Sequence, residues 1–125
     1  MRISDVDYGN GLPIDAYGPG YFRIGGQVHE GPRILHGGAS MPWEGLADEG
    51  PLLALASKID VLLIGTGAEM RFLAEGLDAR LAAAGIGAEP MATPSACRTY
   101  NVLLSEGRRV AAALLPADWV AADAP

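Results

Sequence analysis

The sequence predicts an α/β fold in which a β-rich first part, residues 1–48, and an α/β second part, residues 49–125, share one core. Three observations carry this reading. Before residue 49, short runs of strand character alternate with glycine-containing turns. After it, Val61-Leu62-Leu63-Ile64 and residues 110–115 are continuous apolar runs, the composition of strands covered on both faces. Between those runs lie two stretches suited to helices. One domain is expected, because about fifty residues bury too little apolar surface to fold alone.

In the first part, Pro13-Ile14-Asp15-Ala16-Tyr17 reads as extended. Gly18-Pro19-Gly20 breaks the chain ahead of Tyr21-Phe22-Arg23-Ile24. Gly25-Gly26 separates that run from Gln27-Val28-His29, and Gly31-Pro32 precedes Arg33-Ile34-Leu35-His36. Residues 39–43 add a further extended piece. Short runs joined by such turns predict an antiparallel meander. Tyr17, Tyr21, Phe22 and Trp43 are expected to form its aromatic core.

In the second part, Pro51 follows Asp48-Glu49-Gly50 and suits the first turn of a helix running to about Lys58. Gly65-Thr66-Gly67 ends the strand at 61–64. A helix is expected over 68–84, with Met70, Leu73, Leu77 and Leu81 on one stripe and Gly85 as its stop. Residues 86–91 read as a strand, and Pro90 places it at an edge, where a missing N–H is tolerated. Thr93 is expected to cap the next helix, with Pro94 in its first turn and its end near Ser105-Glu106-Gly107. Residues 110–115 form the last strand, closed by Pro116. Right-handed crossovers make these strands parallel. The expected order is 86–91, 61–64, 110–115, with the N-terminal strands extending the sheet or folding over one face.

The 125 residues carry a net charge of −6, and half of them are hydrophobic, an ordinary globular balance. The acidic bias argues against non-specific nucleic-acid binding, which needs a basic stripe. Cys97 is the lone cysteine, so no internal disulfide is expected and a reducing compartment is the natural reading. Residues 1–7 include early acids and no apolar core of the kind a signal peptide carries. The apolar runs fall short of the ~20 residues of a membrane helix. A cytoplasmic protein with no membrane insertion is therefore expected.

The candidate binding residues lie at two helix starts. Backbone N–H groups at such a start attract anions, and glycines let a ligand approach the backbone. Gly65, Thr66 and Gly67 fit that pattern and flank the crevice where the connections diverge. The third glycine of a dinucleotide fingerprint and the Gly-Lys-Ser/Thr of a phosphate loop are both absent, and Glu69 would repel an anion. The competing reading is a tight strand-to-helix turn. Thr93 and Ser95 open the second helix from the same sheet edge, and Arg98 and Asn101 share a helix face with Ser105. That pair can bind a carboxylate or a polar partner surface, or else Arg98 pairs locally and Asn101 caps a loop. Cys97 shares the opposite face with Tyr100 and Leu104 and reads as a small buried hydrophobe. His29 and His36 match no zinc spacing. The acidic pairs Asp5/Asp7 and Asp48/Glu49 read as solvated, and no two carboxylates form an evident acid–base pair. No metal, cofactor or catalytic residue is expected.

Taken together, Ile14-Asp15-Ala16-Tyr17, Gly20-Tyr21-Phe22-Arg23-Ile24, Pro42-Trp43, the 61–67 segment and residues 89–115 resemble a known family of small proteins. Its members include the human mitochondrial respiratory complex I assembly factor, an adipogenesis-associated cytosolic protein, and bacterial and archaeal relatives of uncharacterised function. The resemblance runs from about residue 12 to 116. It is most specific at Ala96-Cys97-Arg98-Thr99-Tyr100-Asn101 and Glu106-Gly107-Arg108. It implies a three-layer fold: a central mixed sheet with a βαβαβ C-terminal part and an additional N-terminal antiparallel β part. It carries no catalytic residues over, and it implies a protein that works by binding protein partners.

The leading expectation is a non-enzymatic binding or assembly-factor-like protein, linked to respiratory-complex or membrane-protein biogenesis. Its surface would be built from the 65–67 loop and the 93–105 helix. Two alternatives stand beside it: a small anionic-metabolite binder or weak enzyme at the Gly65–Gly67 crevice, and a homo-oligomer whose interface consumes the same surface.

Overall fold

A computed structural model of the chain describes residues 8–121. Asp5 and Asp7 therefore lie outside the described residues. Strands β1 (Ile14–Gly18), β2 (Tyr21–Ile24) and β3 (Gln27–Glu30) form a three-stranded antiparallel sheet. Strands β4 (Arg33–His36), β5 (Ala39–Pro42), β6 (Val61–Gly65), β7 (Gly87–Met91) and β8 (Val110–Leu114) form a second sheet in the order β5-β4-β8-β6-β7. Within it β6 pairs in parallel with both β7 and β8, whereas β4 runs antiparallel to β8. The sheet is therefore mixed, and the expected order of its parallel strands holds. The N-terminal strands do both of the things considered for them. The β4–β5 hairpin extends the sheet, and β1–β3 fold over one face. Pro90 sits on edge strand β7, where the missing donor costs nothing.

Alternation along the central strands builds two cores. Ile34, Leu62, Ile64, Ala111 and Ala113 face one side with Leu52 of helix α1 (Gly50–Leu53) and Leu77 and Leu81 of helix α2 (Leu77–Ala83). Leu35, Leu63, Ala112 and Leu114 face the other side with Ala96, Cys97 and Tyr100 of helix α3 (Thr93–Ser105) and with Ile14, Phe22 and Ile24. The three alanines of β8 leave room at the centre, which the fully buried rings of Tyr100 and Phe22 help to fill on the second side. Trp43 is buried in the first core; Tyr17 is 39% exposed, so it is not part of the aromatic core expected for it.

Three local expectations are corrected. The helix expected over 68–84 is helical only at Leu77–Ala83, and residues 66–76 are irregular. The Thr66 hydroxyl explains much of this. It lies 2.7 Å from the Glu69 carbonyl and 3.1 Å from the Met91 carbonyl, and it accepts from the Arg71 N–H at 3.0 Å. These are backbone groups a helix would need, captured by a neighbouring side chain. The helix expected from Pro51 to Lys58 is regular only over Gly50–Leu53, and Ser57 turns the chain at φ +68. Thr93 is not the cap of α3. Ala92 occupies that position, with no side-chain capping bond, and the Thr93 side chain is used elsewhere.

Candidate functional site

The predicted site lies at the C-terminal ends of β6 and β7, and the chain itself fills it. The Thr66 N–H donates to the Met91 carbonyl at 2.9 Å, the Gly67 N–H to Thr93 Oγ1 at 2.8 Å and the Ala68 N–H to the Trp119 carbonyl at 2.8 Å. Thr93 Oγ1 donates in turn to the Leu115 carbonyl at 2.8 Å, and the Thr93 N–H donates to the Gly67 carbonyl at 2.8 Å. The N–H groups of Thr66, Gly67, Ala68 and Thr93 are thus engaged within the chain. The glycines serve close packing instead. A Cβ on Gly67 would fall 2.3 Å from the Trp119 carbonyl oxygen, and one on Gly65 would fall 2.8 Å from Thr93 Oγ1 and from a Leu114 methyl. The space left beside Thr66, Glu69, Arg71 and Trp119 is about 60 Å³, enough for a water or two.

Gly65-Thr66-Gly67 also does not open a helix, since α2 begins only at Leu77. Among the described residues, the amino end of α3 is the one helix start joined to this loop, through Thr93. The remaining predicted residues divide. Asn101 grips β1: its Nδ2 donates to the Ile14 carbonyl at 2.8 Å and its Oδ1 accepts from the Ile14 N–H at 2.9 Å. Asn101 is thus engaged with a strand far away in sequence, where the alternative to partner binding has it cap a nearby loop. Ser95 and Arg98 remain at the surface, with Arg98 Nη2 3.4 Å from Ser95 Oγ and Arg98 exposed. Cys97 is buried, and burial pushes its thiol up to about 12, with the Arg98 charge opposing only in part. A thiol so placed is un-ionised at neutral pH and is no nucleophile. His29 and His36 lie on different sheets. Among the described residues no three His, Cys, Asp or Glu side chains come together, and no helix is long and apolar enough to cross a membrane.

The sequence reading missed the surface that residues 68–76 create. Phe72 is 87% exposed and Met70 is 46% exposed, on a segment anchored by Thr66 at one end and α2 at the other. Arg71 lies with its guanidinium 5.9 Å from the centre of the Trp119 ring. Beside them an open groove of about 380 Å³ is floored by Ala88 and Pro90 of edge strand β7. The available signal was Thr66 followed by a helical pattern with an out-of-phase Phe72. An aromatic at that position has no core face to occupy if the stripe at Met70, Leu73, Leu77 and Leu81 is real.

Known proteins resemble this chain in sequence or in structure. An uncharacterised protein of Rhodobacter capsulatus is 57% identical over 116 residues, covering 93% of this chain and 94% of that protein. The NADH dehydrogenase [ubiquinone] 1 alpha subcomplex assembly factor 3 of Danio rerio is 34% identical over 123 residues, covering 93% of this chain and 71% of its own. Among solved structures, a protein of Bartonella henselae described as an outer membrane protein superposes with a TM-score of 0.78 at 39% identity, covering 86% of this chain and 96% of that one. A Mth938-like domain of Bordetella pertussis superposes with a TM-score of 0.77 at 27% identity, covering 98% and 96%. The family described as "Protein of unknown function (DUF498/DUF598)" matches residues 14–115, a span that contains every strand and helix above, and the chain belongs to that family.

Proposed function

We propose that this chain is a non-catalytic binding protein with an assembly-factor-like role. Its protein partner docks at the C-terminal ends of β6 and β7, on the surface formed by Met70, Arg71 and Phe72, with Ser95 and Arg98 on α3 as polar contacts. The observation that carries the reading is Phe72, 87% exposed on an anchored segment. A large aromatic held out into solvent, flanked by an arginine and a methionine, has the composition of a binding hot spot. The assembly-factor name of the Danio rerio relative supports the same class of role. A buried, un-ionised Cys97 fits a binder better than an enzyme. The reading extends to a cytoplasmic protein that meets its partners during biogenesis of a respiratory or other membrane complex.

The test is affinity capture from the native host with the full chain and with Phe72→Ser. Wild type is expected to retain respiratory or membrane-biogenesis proteins, and Phe72→Ser is expected to lose them while its melting temperature stays within the range of a surface change, about ±0.5 kcal/mol in stability. Equal capture by both proteins would remove Phe72 from the interface. Concentration-dependent dimers in light scattering that vanish in Phe72→Ser would replace this reading with self-association.

A further inference from the structure

We propose that a hollow at the opposite end of the sheet is a binding site for a small, multiply charged phosphate compound. It lies where β8 begins and α3 ends, and its other walls are the β4–β5 turn and residues 8–11. Its volume is about 440 Å³, within the range of small-molecule sites.

Charge is segregated into it. Lys58, Arg108 and Arg109 line it beside His36, and among the described residues no Asp or Glu does, on a chain with fifteen acidic residues and only nine Lys and Arg. Arg109 is held in place: its Nη2 donates to the Ser57 carbonyl at 2.8 Å, and its Nε lies 3.8 Å from an Asp60 carboxylate oxygen that offsets part of its charge. The side chains of Lys58, Arg108 and His36 make no hydrogen bond or ion pair with any described residue.

The walls are shaped by close approaches. A Cβ on Gly11 would lie 2.4 Å from the Leu104 side chain, and a Cβ on Gly38 would lie 2.5 Å from the Asn10 carbonyl oxygen. Residues 10 and 11 are thereby wedged between α3 and the Gly37-Gly38 turn. At the end of α3, Gly107 adopts φ +76. Its N–H donates to Leu104 and that of Arg108 donates to Leu103, the double bond pattern that terminates a helix and sets the direction of the following residue.

The plainer account is that Arg108 neutralises the negative end of the α3 dipole. That end is worth about half a charge, which one arginine more than balances. Lys58 and the remainder of Arg109 are left over. Like charges that Asp60 offsets only in part are relieved by an anion carrying two or more charges, and arginine forks with a lysine point charge suit phosphate oxygens. This site is independent of the Phe72 surface, so either can fail alone.

The test titrates inorganic pyrophosphate into the isotopically labelled full chain at constant ionic strength. Saturable amide shifts confined to Gly11, Gly37 and residues 107–110 are expected. Replacing Lys58→Gln and Arg108→Gln together, both exposed, is expected to weaken the apparent Kd at least about tenfold while the free protein stays folded and loses no more stability than one helix-end charge supplies. Diffuse, non-saturating shifts would overturn the site, as would wild-type affinity in the double variant. Citrate binding as tightly as pyrophosphate would overturn the phosphate assignment. Retention only on vesicles containing phosphatidylglycerol, without pyrophosphate binding, would make it a membrane contact instead.

Discussion

Thr93 binds three stretches of chain at one point. Its hydroxyl accepts from Gly67 and donates to Leu115, and its own N–H reaches back to Gly67. In the sequence it is a threonine before a proline, the ordinary mark of a helix start, and nothing local says that the hydroxyl reaches across to β6 and β8 instead. The same contrast governs glycines. Gly67 and Gly85 have similar backbone conformations, φ +96 and +82, yet the first lies under Trp119, whereas nothing lies within 4 Å of where a methyl group on the second would sit. Gly85→Ala is therefore expected to cost about 1 kcal/mol, the left-handed penalty alone. Gly67→Ala should cost about 2–3 kcal/mol or more, because the Trp119 segment must also shift. Chemical denaturation of the two variants measures the difference, and equal losses would mean that the 116–121 segment packs loosely. Cys97 was legible because a thiol at helical spacing from Tyr100 and Leu104 has a clear inward face. Asn101 was only half legible, since its partner Ile14 lies far away in sequence.

Among the elements, α3 was readable nearly to the residue, since Pro94 and Gly107 punctuate it and its apolar positions keep helical spacing. The stripe through Met70, Leu73, Leu77 and Leu81 obeys the same periodicity, but only Leu77 and Leu81 are fully buried, and the helix is confined to their turns. Periodicity counts apolar residues; it does not register that Thr66 has already taken the backbone groups of Glu69 and Arg71. The tie between α3 and β1 rests on the Asn101 amide and on the Tyr100 hydroxyl, which donates to the Leu12 carbonyl at 3.2 Å. Asn101→Ala leaves the Ile14 N–H and carbonyl without their partner. A loss of about 2–3 kcal/mol is expected. Amide hydrogen exchange should show β1 and β2 opening before the five-stranded sheet, and uniform acceleration across both sheets would refute the local role given to Asn101.

At the scale of the whole molecule, β8 lies at the centre of the larger sheet, with β4 from the first part on one side and β6 from the second on the other. We propose that residues 1–48 and 49–125 melt as one unit. Tryptophan fluorescence, reporting Trp43 in the first part and Trp119 in the second, should then share a single denaturation midpoint with far-ultraviolet circular dichroism. Two separated midpoints would divide the chain into independent units. The division into a β-rich and an α/β half was legible because composition changes near Glu49. That the halves interleave was not, because strand neighbours far apart in sequence leave no periodic trace. The central place of β8 has a consequence for synthesis. A ribosome releases the β4–β5 hairpin long before the strand that must lie beside it. For that interval Ile34 and Leu35 of the nascent chain are without their native neighbour, and unpaired apolar edges of this kind are where chaperones engage. A stall that keeps Val110–Leu114 inside the ribosome should trap that open-edged form, and release of the completed chain should close it.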